Sequence, residues 1–121
     1  MDTGIEFRSE TDTRACTTAD VNAAAWVAMA LGHRLRMQIC RRLAAFRESG
    51  LSAGTLSTQL MVAPSSLSFH LQQMTRAGVV TARHDGGSIF YSLNCNGVAA
   101  LGEFLSRLVD SGNTHGIIGE P

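Results

Sequence analysis

The sequence contains no lysine, no long apolar run and no recognised catalytic motif. All ten of its fixed positive charges are therefore arginine side chains, each able to make two hydrogen bonds to a phosphate or a guanine. No run reaches the roughly 18 apolar residues of a membrane helix, so we expect no membrane partner. Clustered carboxylates, a Gly-x-Ser-x-Gly sequence and a phosphate-binding loop are also missing. We therefore expect no enzymatic activity.

Length and the first residues predict one cytoplasmic domain. A chain of 121 residues with 45% hydrophobic content supports a single core. The N-terminus is polar and acidic, whereas a secretory signal is basic and then apolar. We expect a cytoplasmic protein with reduced thiols. Its domain is predicted at residues 16–111, between a mobile segment at 1–15 and a mobile tail at 112–121.

The net charge of zero conceals a segregation of charge along the chain. Residues 33–95 carry a balance of +5, whereas residues 1–32 carry −3 and residues 96–121 carry −2. A basic middle between acidic ends suits contact with the phosphates of a nucleic acid.

The middle of the chain predicts a helix followed by a β-hairpin. Leu67, Leu71 and Met74 recur at helical spacing and place one apolar stripe on a core, and Gly78 ends the helix. The strands at 79–84 and 88–93 flank a turn that contains two glycines, which permit positive φ.

A shorter helix with Ser52 as its N-cap precedes this one, and only three residues separate it from Pro64. Two such helices and a hairpin predict a winged helix-turn-helix: a mainly α fold with a small β-hairpin, about five helices plus a two-stranded wing. An ordinary helical hairpin on a small α/β domain is the alternative.

Four segments, in this order and spacing, resemble the ArsR family of arsenic- and metal-responsive bacterial repressors. They lie at residues 30–39, 67–71, 76–80 and 86–93. The resemblance implies a dimeric winged-helix repressor that leaves its operator DNA when a signal binds. Two departures are Arg34, where the family usually has a proline, and Gly87, where a wing arginine is common.

Polar and aromatic side chains of the second helix and the hairpin are the predicted DNA contacts. They are Ser65, Ser66, Ser68, Phe69, His70, Gln72, Gln73, Arg83 and Ser88. Two of them have alternatives. His70 either meets DNA or packs against the first helix of the motif, and Phe69 either reaches a thymine methyl or turns inward.

The first and last helices carry more apolar side chains than a core of this size can cover. The family resemblance implies that they form a two-fold homodimer interface, which would space two DNA-reading helices one duplex turn apart. The predicted interface residues are Trp26, Val27, Leu101, Leu105 and Leu108.

Three cysteines are the only soft ligands, and no Cys-x-x-Cys pair occurs. Trivalent arsenic or antimony, the expected inducers, prefer two or three thiolates. Cys16 and Cys95 are the preferred sensing pair, whereas Cys40 is expected to be a small core residue. No permanent cofactor is predicted. The alternatives are a repressor of the same fold that senses thiol oxidation or persulfide formation, and a winged-helix adaptor that binds protein instead of DNA.

Overall fold

A computed structural model defines the backbone of residues 17–119 and the side chains of residues 17–112. The predicted mobile segment 1–15 and Cys16 lie outside this described part. Five α-helices, one 3-10 turn and three strands follow one another within it. They are α1 (Thr18–Leu31), α2 (Arg34–Ala44), the turn Arg47–Ser49, β1 (Leu51–Ser52), α3 (Ala53–Leu60), α4 (Pro64–Arg76), β2 (Val80–Asp85), β3 (Ser88–Leu93) and α5 (Cys95–Gly119).

Side-chain caps fix where the first helices begin. Thr17 and Ser52 each accept a hydrogen bond from a backbone N–H three residues later, at 3.1 Å in both cases. Pro64 is the first residue of α4, as predicted. His33 is the N-cap of α2, because its Nδ1 accepts from the Leu35 N–H at 3.2 Å.

The hairpin forms as predicted, but a third strand extends it. β2 and β3 pair antiparallel along their whole length, and Gly86 in the two-residue turn has φ +65°. Leu51 and Ser52 of β1 pair with the other edge of β3, so the sheet order is β1-β3-β2. The predicted two-stranded wing is therefore incomplete. A strand of two residues is too short to show the alternation that reveals a strand in a sequence.

The predicted apolar stripe of α4 lies in the core. Leu67, Leu71 and Met74 are fully buried. Residues from α1 to α3 and from the sheet surround them: Val27, Ala30, Ile39, Leu43, Leu51, Leu56, Val79 and Val80. Val27, predicted at the dimer interface, is only 9% exposed in the single chain and packs in this core. It also lines a groove beside α1, so its place at an interface stays a prediction.

Asn94 joins the start of α5 to the end of α4. Its Nδ2 donates to the Gly78 carbonyl at 2.8 Å, and its backbone N–H donates to the Val79 carbonyl at 2.8 Å. Its Oδ1 accepts from the Gly97 N–H at 3.4 Å, so the same side chain also caps α5.

α5 continues to Gly119, beyond the predicted end of the domain at residue 111. Gly112 does not interrupt it, since one glycine in a helix costs only about 1 kcal/mol relative to alanine. The mobility expected for residues 112–121 stays a prediction. Among the described residues, no helix has both the length and the apolarity needed to cross a membrane.

We expect Gly50→Ala to lower the free energy of unfolding by at least about 2 kcal/mol. Gly50 has φ +68°, and a Cβ there would collide with the Tyr91 carbonyl oxygen of β3. Gly54→Ala is the matched control, because Gly54 is exposed in the first turn of α3 and its added Cβ meets nothing closer than 3.9 Å. Urea unfolding should show a large loss for the first variant and none for the second. Equal stability of the two would contradict the close approach at Gly50.

Candidate nucleic-acid interface

The side of α4 opposite the core is polar and faces solvent. Ser65, Ser66, Ser68 and Gln72 are exposed, and the buried stripe leaves the helix no freedom to rotate them inward. Their hydroxyl and amide groups both donate and accept hydrogen bonds, as the edges of bases require. Phe69 lies on this side too, with 55% of its surface exposed, so of its two alternatives the outward one is observed.

His70 and Gln73 are half-buried, unlike the other predicted contacts of α4. The Nδ1 of His70 accepts a hydrogen bond from Nε of Arg36 at 3.0 Å. The ring of His33 lies edge-on to that of His70, with centroids 4.6 Å apart. His70 therefore contacts α2 and its N-cap. Burial first, and then electrostatic interactions with Arg36 and His33, lower its pKa.

On the hairpin, Arg83 makes contacts within the chain. Its Nη2 donates to the Ser49 carbonyl at 3.0 Å, and its Nη1 lies 3.4 Å from a carboxylate oxygen of Asp85. The guanidinium also stands 5.1 Å from the centre of the Phe90 ring. These contacts use two of its five N–H donors, and half of the side chain is still exposed. Ser88, beside the turn, is exposed.

The other arginines of the basic middle divide into two groups. Arg34, Arg41, Arg47 and Arg76 are exposed. Arg42 donates to the side-chain oxygen of Gln59 at 3.0 Å and links α2 to α3. The exposed group supplies the positive surface that a nucleic acid requires, whereas Arg36, Arg42 and Arg83 hold elements together.

The described cysteines differ in exposure. Cys40 packs against the core, and burial raises its pKa, which disfavours the reactive thiolate. Cys95, the first residue of α5, is exposed. Within the described residues, no group of three or more His, Cys, Asp and Glu side chains is placed to hold a metal ion. Cys16, the preferred partner of Cys95, lies outside them.

A mainly apolar groove runs between α1, α5 and the end of α4. It has a volume of about 880 Å³, and small side chains such as Ala23, Ala24 and Ala100 line it, together with charged ones such as Arg76 and Glu103. Trp26 on α1 is 66% exposed at this groove. Further along α5, Leu105 and Leu108 are exposed, whereas Leu101 is half-buried against the core.

Comparison with known proteins identifies the family. A family model described as a helix-turn-helix domain matches residues 31–83. The transcriptional activator HlyU of Vibrio cholerae is 36% identical over 84 residues, which are 69% of this chain and 75% of HlyU. The chain belongs to the ArsR family. It is therefore a DNA-binding winged helix-turn-helix transcriptional regulator, and HlyU is its homologue.

Solved structures of ArsR-type proteins agree with this fold. HlyU itself aligns with a TM-score of 0.62 and 33% identity, over 76% of this chain and 97% of HlyU. Its reduced form aligns with a TM-score of 0.59 and 32% identity, over 74% and 92%. An ArsR-like regulator from Rhodococcus sp. RHA1 gives a TM-score of 0.72 at 22% identity, over 85% of this chain and 98% of the regulator. A homodimeric winged helix-turn-helix DNA-binding domain from Mycobacterium bovis gives 0.60 at 23%, over 78% and 83%.

Sequence reasoning missed the role of Arg36. It was counted only as one of seven arginines of the basic middle, although its guanidinium links α1, α2 and α4. No local pattern signals such a contact, because its partners lie 6 and 34 residues away in the chain.

We expect Ser68→Ala to weaken binding to a specific DNA duplex by roughly 1–3 kcal/mol, the usual value of one specific base contact. Ser68 is exposed at the centre of the polar side of α4 and has no hydrogen bond that the removal would break inside the protein. Ser106→Ala, an exposed serine of α5, is the matched control. Fluorescence anisotropy with a selected duplex measures both. The same affinity for both variants would exclude Ser68 from the DNA contact.

Proposed function

We propose that this regulator is a homodimer that reads its operator with α4 in the major groove, and that a reaction at its thiols releases it. The observation that supports the reading role is the solvent-facing serine and glutamine side of α4, directly opposite a fully buried stripe. In helix-turn-helix proteins the second helix of the motif lies in the major groove. The exposed arginines of α2 and α4 then meet the flanking phosphates, and the hairpin tip bearing Ser88 follows the backbone.

Two features support dimerisation. The groove between α1 and α5 is apolar, and the large side chains beside it, Trp26, Leu105 and Leu108, are exposed in the single chain. A second copy of the same chain is the partner that we propose, because its own α1 and α5 offer the same apolar surface about a two-fold axis. The homodimeric domain from Mycobacterium bovis shares the fold.

We expect Leu105→Arg to convert the dimer into monomers. The arginine charge would be buried in the interface without a partner, at a cost of roughly 3–5 kcal/mol. Ile89→Arg is the control, because Ile89 is similarly exposed but lies on the hairpin. Analytical ultracentrifugation separates the two outcomes. If the Leu105 variant sediments with the parent, α5 does not form the interface.

For the signal, Cys95 is the thiol that we propose reacts first. It is exposed, whereas burial holds the pKa of Cys40 above its ordinary value and keeps its thiol protonated. Trivalent arsenic or antimony would be held by the Cys95 thiolate with that of Cys16, within or across subunits, and would release the DNA by favouring a conformation that binds it weakly.

Thiol oxidation is the second candidate. HlyU supports this candidate, because one of its solved structures is of the reduced form. A peroxide would take two electrons and two protons from two thiols, which join as a disulfide while the peroxide becomes water.

We expect Cys95→Ser to bind DNA like the parent and to lose its release by arsenite. Cys40→Ser is the contrasting variant, because a hydroxyl without a hydrogen-bond partner in this half-buried position should lower stability and leave release intact. Mass spectrometry of the treated protein separates the two candidates: a bound arsenic atom adds its mass, whereas a disulfide removes two hydrogens. Release that persists without Cys95 and Cys16 and disappears with Cys40→Ser would reverse this ranking.

The adaptor alternative and the direction of regulation require a separate measurement. A DNA reader loses affinity steeply as salt rises, because phosphate contacts release counterions, whereas an adaptor would show no duplex binding at all.

HlyU is named an activator, and operator occupancy can either block a promoter or displace a competitor. We propose that this regulator represses its promoter. A reporter gene behind that promoter should then be expressed more strongly in a strain without the regulator.

A further inference from the structure

The contact between Arg36 and His70 joins three helices. Nε of Arg36 donates to Nδ1 of His70 on α4 at 3.0 Å, and its Nη1 donates to the carbonyl of Ala30 near the end of α1 at 3.3 Å. One guanidinium on α2 therefore ties the middle of α4 to the helix that we propose as part of the dimer interface.

This contact requires an unprotonated Nδ1 on His70. Arginine remains protonated and can only donate, so His70 has to accept with that nitrogen. The neighbouring His33 is used in the same way, since its Nδ1 accepts the Leu35 N–H that caps α2. Both Nδ1 atoms thus accept from groups that keep their protons, and the two rings are in edge contact. Protonation of either Nδ1 replaces a hydrogen bond by a clash of two donors.

Within residues 17–112, no charge that would favour protonation of His70 acts on it. The charged and titratable groups that do act on it are Arg36 of α2 and the N-cap His33. From α1, the Ala30 carbonyl accepts from Arg36. Burial and these two groups lower the pKa of His70.

We propose that Arg36 and His70 are positioning residues that hold α4 against α2 in its DNA-reading orientation. Proton uptake by His70 breaks this link, lets α4 shift within the limits that its buried stripe sets, and weakens operator binding. This rests on the proposed reading role of α4. When the link is broken, the pKa of His70 returns towards its ordinary value of about 6.5. The held arrangement is thus fully favoured above that value and is lost progressively as the pH falls below it towards the lowered pKa.

Direct DNA contact by His70 gives the opposite pH dependence. A histidine beside a phosphate is stabilised in its charged form, so binding would tighten as the pH falls. In the positioning role, binding weakens instead, by at most about tenfold per pH unit for one linked proton. The sign of the slope therefore separates the two roles.

The test compares the parent with His70→Asn, whose side-chain oxygen can accept from Arg36 near the Nδ1 position but cannot take up a proton. Affinity for a duplex selected with the parent is measured by anisotropy from about pH 8 to about pH 5.5, across the ordinary histidine range. We expect similar affinities at the upper end and a larger loss for the parent at the lower end. His84→Asn, an exposed histidine of the hairpin, controls for charge near DNA.

A second variant tests the Arg36–His70 contact even if His70→Asn does not fold correctly. Arg36→Met removes the donor and the positive charge, so the pKa of His70 measured by NMR should rise and affinity at about pH 8 should fall. The positioning role would be overturned if the DNA affinities of the parent and His70→Asn changed equally with pH. It would also be overturned if the affinity of the parent rose relative to that of the variant as the pH falls. Unchanged affinity in a Ser68→Ala/Gln72→Ala double variant would instead refute the reading role of α4 itself.

Discussion

The complete burial of three side chains on one side of α4 determines what the rest of the molecule can present. Leu67, Leu71 and Met74 have no exposed surface, and each would lose roughly 1.5–3 kcal/mol if it were turned to water. Rotation of the helix about its axis is therefore strongly opposed. The serines and Gln72 opposite this stripe are consequently held outward, although none of them makes a side-chain hydrogen bond to another described residue.

Arginine has two distinct uses in this chain. Exposed residues such as Arg41 and Arg76 supply a positive surface, whereas Arg36, Arg42 and Arg83 connect elements through directed hydrogen bonds. The planar guanidinium suits the second use, because it donates in several fixed directions at once. The number of arginines in the basic middle of the chain is therefore larger than the number that is free to contact DNA.

Sequence periodicity predicted the helices, the stripe of α4 and the hairpin, because each is encoded by residues close together in the chain. It could not predict β1, whose two residues pair with Tyr91 and Phe90 some 40 residues later. It also did not show that Val27 packs in the core, because α1 is apolar around most of its circumference and its pattern does not single out one face. The partners of His70 and Arg83 were likewise set by distant segments, and only three-dimensional packing reveals them.

The Asn94 side chain has a consequence for how movement spreads through the domain. It binds the carbonyl at the end of the α4 turn and caps α5, and the hairpin lies between these two points in the chain. The hairpin is thus a loop closed at its base by one amide group. A shift in the first turn of α5, where Cys95 stands, reaches both the base of the hairpin and the end of α4 through this amide. One side chain thus couples the base of the wing to the first turn of the last helix.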